Sequence, residues 1–309
     1  MIQHILKEAF QSQFDIVGII DTKSYLIKAE ELGKRVPPIT YPTMVVLGLT
    51  YPKRIIKHTQ THLVPSFYTF GSDYHNVLKK RIVEVMNNFP YAYEFGVDNH
   101  PHDERLAAVL AGVGYFGKNQ LIINKDYGTY IFLGIVFIDV EIEKEIILDS
   151  SDDCGSCTKC IDACPTGALF DGGYNQHKCI SNFNQEKREL TNEEIKANYV
   201  LFGCDICQMV CPKNINKGVI THPEFILSGK EMVSILDLFQ DSEKEFKLKY
   251  GDMSYMWKGK TILMRNALTL LAKQNNKAYN ELIKNSMDRV KAKWYIQTAH
   301  KILEKLNRK

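Results

Sequence analysis

The stretch C-G-S-C-T-K-C-I-D-A-C-P at residues 154–165 decides how the middle of this chain folds. It spells C-x2-C-x2-C-x3-C-P, a spacing in which three thiolates wrap one four-iron four-sulfur cluster while the fourth reaches a neighbouring cluster. A second run, at Cys204, Cys207 and Cys211 before a proline, repeats the last three positions of the first. The chain is therefore predicted to hold two clusters in a bacterial-ferredoxin-type double motif.

One further cysteine completes the second run. Leu201 stands where its first cysteine would be, and Cys179 is the only cysteine left to fill that vacancy. The two predicted ligand sets are then Cys154, Cys157, Cys160 and Cys211 for one cluster, and Cys164, Cys179, Cys204 and Cys207 for the other. The alternative is tetrahedral zinc, although zinc sites usually pair two distant C-x2-C knuckles and need neither Cys-Pro nor three cysteines in a row.

Composition places the chain among ordinary folded proteins. With 309 residues, 45% hydrophobic and 24% charged, it is too large for a bare ferredoxin and unlike disordered or fibrous proteins. No run approaches the roughly 18 apolar residues of a membrane span, and residues 1–14 resemble an amphipathic helix more than a cleavable signal. We expect a cytoplasmic protein without membrane association, whose reduced cysteines bind metal.

Hydrophobic patterns outside the cysteine segment predict alternating strands and helices. Four runs rich in β-branched and aromatic residues read as strands, at 14–21, 43–51, 91–98 and 130–141. Helical spacing of apolar residues recurs at 75–89, 103–112, 261–273, 277–287 and 288–306. The predicted fold class is a mixed α+β or α/β chain with a largely buried sheet in its N-terminal part.

Three glycines, Gly112, Gly114 and Gly117, spell G-x-G-x-x-G, the dinucleotide-binding fingerprint. That site requires a strand before the glycines and a helix after them, so that a helix N-terminus meets the pyrophosphate. Here a predicted helix precedes them and a strand-like run follows. We therefore reject a nicotinamide site and interpret the glycines as a helix terminus followed by close backbone approach.

The block V-D-N-H-P-H-D-E-R-L-A-A-V-L-A-G-V-G-Y-F-G-K-N at residues 97–119 resembles the V-D-T-G-P…R…A…A-G-x-G…G-K-N block of epoxyqueuosine reductases. Further segments stand in the family's order and spacing, and they are K-R-V-P-P (34–38), L-T-Y-P (49–52), G-S-D-Y-H (71–75), Y-G-T-Y (127–130), K-C-I-S (178–181), Y-V-L-F-G-C-D-I-C-Q-M-V-C-P-K-N (199–214) and W-K-G-K-T-I-L-M-R-N-A-L (257–268). With the cysteine run, the resemblance covers residues 10–270 approximately.

This resemblance implies a cobalamin-dependent oxidoreductase that reduces epoxyqueuosine to queuosine at the tRNA wobble position, the last step of queuosine synthesis. It implies an N-terminal cobalamin-binding α/β domain (1–148), a ferredoxin-like domain with two 4Fe-4S clusters (149–222) and a short HEAT-like helical-repeat tail that binds tRNA (223–309). The partners would be a tRNA with a queuosine-type anticodon loop and a low-potential electron donor, and the chain would act as a monomer. Alternatives are a ferredoxin-type electron-transfer protein and a reductive dehalogenase-like enzyme acting on a small molecule.

By the motif match, Asp98 takes the place of the family's proton-donating aspartate beside the corrin. For that role the carboxyl has to keep its proton near neutral pH, which burial against an apolar corrin would favour. The alternative is a cap or turn aspartate before a helix that starts near Pro101. Asn99 and His100 replace the family's Thr-Gly pair, and we interpret His100 as a turn histidine rather than a cobalt ligand, because Asp103 occupies the position where the D-x-H-x-x-G cobalamin fingerprint needs glycine.

Four residues occupy family positions that imply contact with the corrin, several of them through backbone groups, and they are Arg35, Asn119, Ile122 and Leu133. Asp98 is also predicted to contact the corrin, and Gln185 and Lys187 could reach either the corrin or the tRNA. Each has a plainer alternative. Arg35 could be a surface cation, Ile122 and Leu133 could be ordinary core, and Gln185 could lie on a solvated loop or reach the tRNA.

The C-terminal part of the chain is strongly basic. Residues 251–309 carry thirteen Lys and Arg against four Asp and Glu, which suits a polyanion such as RNA or, alternatively, a solvated helical surface. The predicted tRNA contacts, several of which pair an aromatic ring with cations, are Lys187, Trp257, Lys258, Lys260 and Arg265. The alternatives are a solvated loop for Lys187 and a helix start with exposed lysines for the other four.

Overall fold

The computed structural model describes residues 2–142 and 154–307, and its contacts divide the chain into two units. The sheet unit contains residues 1–53, 74–159 and 210–222, and the helical unit contains residues 54–73, 160–209 and 223–309. The cysteine segment therefore contributes to both units. The division into three domains at residues 148 and 222 stays a prediction.

Helices and strands alternate along the chain. The helices in the described residues are α1 (Ile2–Gln11), α2 (Thr22–Glu31), α3 (Tyr74–Met86), α4 (Glu104–Leu110), α5 (Lys159–Asp162), α6 (Ile180–Phe183), α7 (Asn192–Ala197), α8 (Ile206–Met209), α9 (Ile235–Gln240), α10 (Glu243–Tyr250), α11 (Lys260–Lys273), α12 (Asn280–Arg289) and α13 (Lys293–Asn307). The strands there are β1 (Ile16–Asp21), β2 (Thr43–Thr50), β3 (His62–Leu63), β4 (Tyr93–Gly96), β5 (Tyr115–Phe116), β6 (Ile122–Ile123), β7 (Ile131–Ile138), β8 (Leu169–Phe170), β9 (Gly173–Tyr174) and β10 (Val233–Ser234). The strands and helices predicted from hydrophobic patterns are confirmed, with small differences at their ends.

A four-stranded sheet in the order β1-β2-β7-β4 forms the centre of the sheet unit, and each neighbouring pair is antiparallel. On one face, α2 and α4 pack with Met44, Val46 and Ile135. Successive residues of a strand point to opposite faces of the sheet. Gly134, next to Ile135, therefore faces the other side, where Leu78 of α3 lies against it. All eight residues of β2 are consequently buried, and the predicted mixed fold with a buried sheet is confirmed.

The helical unit is built around α11, in which each residue from Ile262 to Ala272 is buried. This helix contacts α9, α10 and α13, and α12 packs on α13. Two helices start with capping boxes, Thr191 with Glu194 at α7 and Ser242 with Glu245 at α10, which follow the S/T-x-x-E signature. In the part of the chain that the structure describes, no helix has the length and apolar character needed to cross a membrane.

Arg265 lies in the middle of α11 and is fully buried. Its guanidinium donates hydrogen bonds to the backbone carbonyls of Phe183 at 3.3 Å, Asn184 at 2.8 Å and Arg188 at 2.8 Å, and also to that of Glu186. The prediction that Arg265 contacts tRNA is therefore wrong, because its donors are used inside the protein and none is exposed to a phosphate.

Asn266 extends this buried network from the same helix. Its Nδ2 donates to the carbonyls of Asn184 at 2.8 Å and Leu201 at 2.9 Å. Asn184 in turn donates to the Gly203 carbonyl at 2.8 Å and accepts the Gly203 N–H at 3.3 Å. Helix α11 thus holds the backbone that follows one predicted cluster ligand and the backbone that precedes the next.

We expect Arg265→Met to lower the free energy of unfolding by at least about 3 kcal/mol, because four backbone carbonyls lose a charged donor and a hydrogen bond to a charged group contributes roughly 1.5–3 kcal/mol. Denaturant titration followed by circular dichroism measures the change. Lys196→Met is the matched control, since Lys196 is exposed on α7 and its replacement should alter stability by less than about 0.5 kcal/mol. Equal stability of the two variants would contradict a structural role for Arg265.

Candidate functional site

The helical unit brings together the four cysteines that are predicted to bind one cluster, Cys164, Cys179, Cys204 and Cys207. Burial raises the pKa of the Cys207 thiol, and the thiols of the other three and of Cys160 raise it further. Burial, with a contribution from Cys179, also raises the pKa of Cys204 to about 12. Thiolates gathered this closely repel one another, and a bound cationic metal centre would remove that repulsion.

Cys164 is surrounded by hydrogen-bond donors. Burial by itself would raise the pKa of this thiol, but backbone N–H groups of Leu169, Thr166 and Ala168 and the Thr166 hydroxyl, 3.6 Å away, outweigh burial and lower the pKa. Donors of this kind stabilise the thiolate, which is the form that binds iron. The donors in the turn after α5 therefore favour the thiolate form of Cys164, which is the form that a metal binds.

The sheet unit holds three cysteines of the other predicted set. Burial raises the pKa of Cys211, and the thiols of Cys154 and Cys157 raise it further, so these three groups are neighbours. The Cys157 N–H donates to the Cys154 carbonyl at 3.0 Å and closes a turn. Lys118 Nζ donates to the Gly155 carbonyl in that turn at 2.6 Å. A lysine from the loop after β5 thus holds the first cysteine turn in place.

All eight cysteines lie in the described residues, and none of them forms a disulfide. The same residues contain no group of three or more His, Cys, Asp or Glu side chains that could hold one metal ion. Cys160 belongs to the helical unit, so its place in the set with Cys154, Cys157 and Cys211 stays a prediction. In number and chemistry, eight thiols in two groups fit two four-iron clusters.

A tyrosine hydroxyl lies beside one predicted cluster ligand. Tyr199 Oη donates to Cys204 Sγ at 3.5 Å and accepts the Asp205 N–H at 2.8 Å. Burial raises the pKa of Tyr199, and the Cys204 and Asp205 side chains raise it further, so the hydroxyl keeps its proton. Burial also raises the pKa of Asp205 to about 7, against opposing hydrogen bonds from Ser66 and Phe67.

Asp98 lies in the turn after β4 and has a φ of +59°, a left-handed conformation that Gly, Asn and Asp tolerate best. Its N–H donates to Glu104 Oε1 at 2.9 Å, and its Oδ2 lies 3.2 Å from His75 Nε2. The Asp98 side chain is 50% exposed. Helix α4 is capped by Asp103, which accepts two backbone N–H groups of the first turn. The alternative interpretation of Asp98 as a helix cap is therefore wrong, and the helix starts after Asp103 rather than near Pro101.

His100 is a turn histidine, as predicted. Its Nδ1 accepts the His102 N–H at 3.3 Å, its Nε2 lies 3.1 Å from Glu104 Oε1, and its ring packs on the backbone of Gly96. Burial raises the pKa of Glu104, although the His100 ring and the Asp98 N–H oppose that change. Glu104 therefore joins the backbone of Asp98 to the ring of His100, at the point where the family has its Thr-Gly pair.

The three glycines have the roles predicted for them. Gly112 follows α4 with a φ of +67°, which is the usual conformation after a helix C-terminus. A Cβ added at Gly114 would lie 2.5 Å from the Ile123 carbonyl oxygen, and one at Gly117 would lie 2.5 Å from Ile123 Cδ1. The hairpin β5–β6, and no helix, follows the glycines, which confirms the rejection of a dinucleotide fingerprint.

Asn119 has a buried donor that suits a bound corrin. Its Oδ1 accepts the Leu121 N–H at 3.2 Å, while its Nδ2 is buried and has no hydrogen-bond partner in residues 2–142 and 154–307. Buried polar groups are normally paired, so this amide can take an acceptor from a ligand. Ile122 is buried in β6, Leu133 is half-buried in β7 and Arg35 is exposed. All four residues belong to the sheet unit.

Gln185 lies in the helical unit, beside the aromatic residue predicted to contact tRNA. Trp257 is 46% exposed, and its Nε1 donates to Gln185 Oε1 at 3.1 Å. Lys258 Nζ lies 3.5 Å from the centroid of the Trp257 ring. Lys187 is exposed two residues after Gln185. We call Trp257, Gln185 and Lys258, together with the exposed Lys187 nearby in the sequence, the tryptophan patch.

Some cations of the C-terminal part are buried or paired with acidic side chains. Lys260 is 4% exposed and its Nζ donates to the Asp241 carbonyl, so the prediction that it contacts tRNA is wrong. Lys284 pairs with Glu281 at 2.6 Å. Burial and pairing therefore reduce the basic surface that the net charge of this segment suggests.

Sequence reasoning did not single out Glu104, His75 or Tyr199 as site residues. Each lies inside a block that resembles the family, D-E-R, G-S-D-Y-H and Y-V-L-F-G-C respectively. Their position in those blocks was a usable signal. Their partners were not predictable, because each contact depends on a turn or on a residue from another part of the chain.

The site chemistry agrees with comparisons to known proteins. A family described as the 4Fe-4S double cluster binding domain matches residues 153–214, so the chain is an iron–sulfur protein of the two-cluster class. The epoxyqueuosine reductase of Lactococcus garvieae is 33% identical over 285 residues, which are 86% of this chain and 79% of that protein. The chain belongs to the epoxyqueuosine reductase family.

Solved structures give the same result. The crystal structure of an epoxyqueuosine reductase with a tRNA-Tyr epoxyqueuosine-modified stem loop has a TM-score of 0.81 and 27% identity, and the match covers 99% of each chain. The Bacillus subtilis epoxyqueuosine reductase, solved with an aspartate-bearing catalytic loop swung out of the active site, has a TM-score of 0.79 and 27% identity over 98% of each chain.

We expect Cys179→Ala to hold about four irons per chain instead of about eight after anaerobic reconstitution, because a four-iron cluster needs four cysteine ligands. Iron and sulfide analysis measures the change. Ser181→Ala, on the same short helix α6, is the control and should keep the full content. A Cys179→Ala protein that retains about eight irons would show that Cys179 is not a ligand.

Proposed function

We propose that this chain reduces epoxyqueuosine to queuosine at the wobble position of tRNA in the cytoplasm, using two 4Fe-4S clusters and cobalamin. The observation that carries the proposal is the match to epoxyqueuosine reductases over 86% of the chain. A relative of the same fold binds an epoxyqueuosine-modified tRNA stem loop, which supports a tRNA substrate for this chain. The proposal includes a monomeric enzyme and an external low-potential electron donor.

The cysteines and a group of sheet-unit residues would hold the cofactors. When bound, the clusters supply single electrons at low potential, and cobalamin supplies the strongly reducing centre for opening the epoxide. The two cysteine sets ligate the clusters. The buried Nδ2 of Asn119 would donate to a corrin acceptor, and Arg35, Ile122, Leu133 and Gln185 remain further predicted contacts.

Asp98 is the proton donor in this proposal. Reduction of the epoxide takes two electrons, and the departing oxygen needs a proton from a positioned acid. The Asp98 carboxyl is exposed in its turn, so the burial that would keep it protonated would have to come from a bound corrin. Its backbone N–H is held by Glu104 at 2.9 Å. His75 Nε2, at 3.2 Å, is close enough to return a proton to the carboxyl after each turnover. The catalytic loop named in the Bacillus subtilis structure supports a mobile aspartate of this kind.

We expect Asp98→Asn to lower the turnover number at least about 100-fold while cluster content and cobalamin binding stay unchanged, since an amide cannot donate the proton and general acid catalysis contributes about 100-fold to 10,000-fold. Asn tolerates the positive φ at this position, so the turn should keep its shape. Turnover is measured by the conversion of epoxyqueuosine in tRNA under a strong reductant.

Asp126→Asn is the control for Asp98→Asn, because Asp126 is an exposed turn residue of the same unit. A fully active Asp98→Asn enzyme would remove Asp98 from the mechanism. If the unaltered chain binds its irons but takes up no corrin and leaves the tRNA unchanged, it is an electron-transfer protein. Uptake of corrin without any change in the tRNA would indicate a dehalogenase-like enzyme for a small molecule.

The tryptophan patch is the proposed tRNA contact of the helical unit, with α9 to α13 acting as a short helical-repeat tail. An exposed indole offers a face for an unpaired base, and Lys258 and Lys187 offer charge to phosphates. The indole N–H is already bound to Gln185, so the ring is oriented before RNA arrives.

We expect Trp257→Ala to weaken the binding of the tRNA anticodon stem loop about tenfold, because stacking of one base on an aromatic side chain contributes roughly 1–3 kcal/mol. Fluorescence anisotropy with a labelled stem loop measures the affinity. Lys258→Ala should also weaken binding and reduce its dependence on salt, whereas Lys7→Ala, which removes an exposed charge on α1, should leave both nearly unchanged. Unaltered affinity in Trp257→Ala would exclude the patch.

A further inference from the structure

Tyr199 approaches a cluster ligand in a defined orientation. Its hydroxyl oxygen accepts the Asp205 N–H at 2.8 Å, and the remaining hydroxyl hydrogen points to Cys204 Sγ, 3.5 Å away. The two contacts come from consecutive residues, so they fix the hydroxyl as an acceptor on one side and a donor on the other. Sulfur contacts of this length are within hydrogen-bond range because the sulfur atom is large.

Hydrogen bonds hold the chain at Tyr199 and at the residue before it. His58 Nδ1 accepts the Val64 N–H at 2.9 Å, which leaves Nε2 as the donor to the Tyr199 carbonyl at 2.8 Å. The preceding residue, Asn198, is fully buried and donates from Nδ2 to Thr269 Oγ1 of α11 at 2.8 Å. The tyrosine is therefore fixed by the fold of the helical unit.

We propose that Tyr199 is a positioning residue that raises the reduction potential of the cluster ligated by Cys204, relative to the same cluster without this hydrogen bond. Reduction adds one electron, taken from the external low-potential donor, and increases the negative charge on the cluster and its thiolates. A donor aimed at a ligand sulfur stabilises that added charge, and hydrogen bonds to the sulfurs are one of the factors that set such potentials.

The effect should be confined to one cluster. Tyr199, Cys204 and the neighbouring thiols of Cys179 and Cys207 all belong to the helical unit. If the two clusters have unequal reduction potentials, electron transfer is favourable from the cluster of lower potential to the cluster of higher potential. The inference rests on the cluster assignment within the proposed function, but not on the identity of the substrate.

The test is an anaerobic redox titration of the cluster-loaded full chain, followed by electron paramagnetic resonance without tRNA. Tyr199→Phe removes only the hydroxyl and should make reduction of one cluster about tenfold less favourable, a shift of about 59 mV to lower potential for a one-electron couple. The other cluster should titrate as before. Tyr250→Phe is the matched control, because the Tyr250 hydroxyl binds Asp237 at 2.8 Å in the same unit.

Iron content is measured on every variant, because Tyr199→Phe also leaves the Asp205 N–H without its acceptor. If that variant loses iron, Tyr199→3-fluorotyrosine supplies the second measurement, since its more acidic hydroxyl is a stronger donor and should move the same potential upward. Unchanged potentials in a fully loaded Tyr199→Phe protein, or in the fluorinated protein, would overturn the inference. A shifted potential in a chain that leaves tRNA unaltered would support the inference while contradicting the proposed substrate.

Discussion

A buried arginine organises the cluster-binding part of the helical unit. The cysteines of this unit lie in short helices and turns, whose apolar residues Ile180, Phe183, Leu201 and Phe202 pack in the core of the unit. Arg265 and Asn266 reach from the centre of α11 and bind the carbonyls of that irregular backbone. A buried cation is costly unless its donors are fully used, and here they bind backbone carbonyls and the Asn266 side chain. These hydrogen bonds hold the loops that carry the predicted ligands.

The cysteine groups combine two opposing electrostatic effects. Burial and mutual repulsion favour protonated thiols at Cys204, Cys207 and Cys211, whereas backbone N–H donors favour the thiolate at Cys164. Metal binding must displace the protons of the first group, so cluster assembly is linked to pH and is favoured as pH rises. A bound metal centre would relieve the repulsion among these cysteine thiolates.

The Asp98 turn shows how a departure from a family pattern can be accommodated. Where relatives of the family have Thr-Gly, this chain has a histidine whose ring covers Gly96 and contacts Glu104. The same carboxylate holds the Asp98 N–H and supports its positive φ. His100 is therefore packed into the turn, whereas Asn99 and the carboxyl of Asp98 are exposed.

The sequence by itself determined the strands and helices, the two cysteine runs, and the role of the glycines after α4. These features depend on residues that are close together in the sequence. They follow from the spacing of the cysteines, the period of the hydrophobic residues and the conformational freedom of glycine. Only the tertiary structure decided that Arg265 and Lys260 are buried and that Tyr199 meets Cys204. Arg265 binds carbonyls some eighty positions earlier in the chain, and local patterns cannot distinguish a cation that serves the protein interior from one that serves RNA.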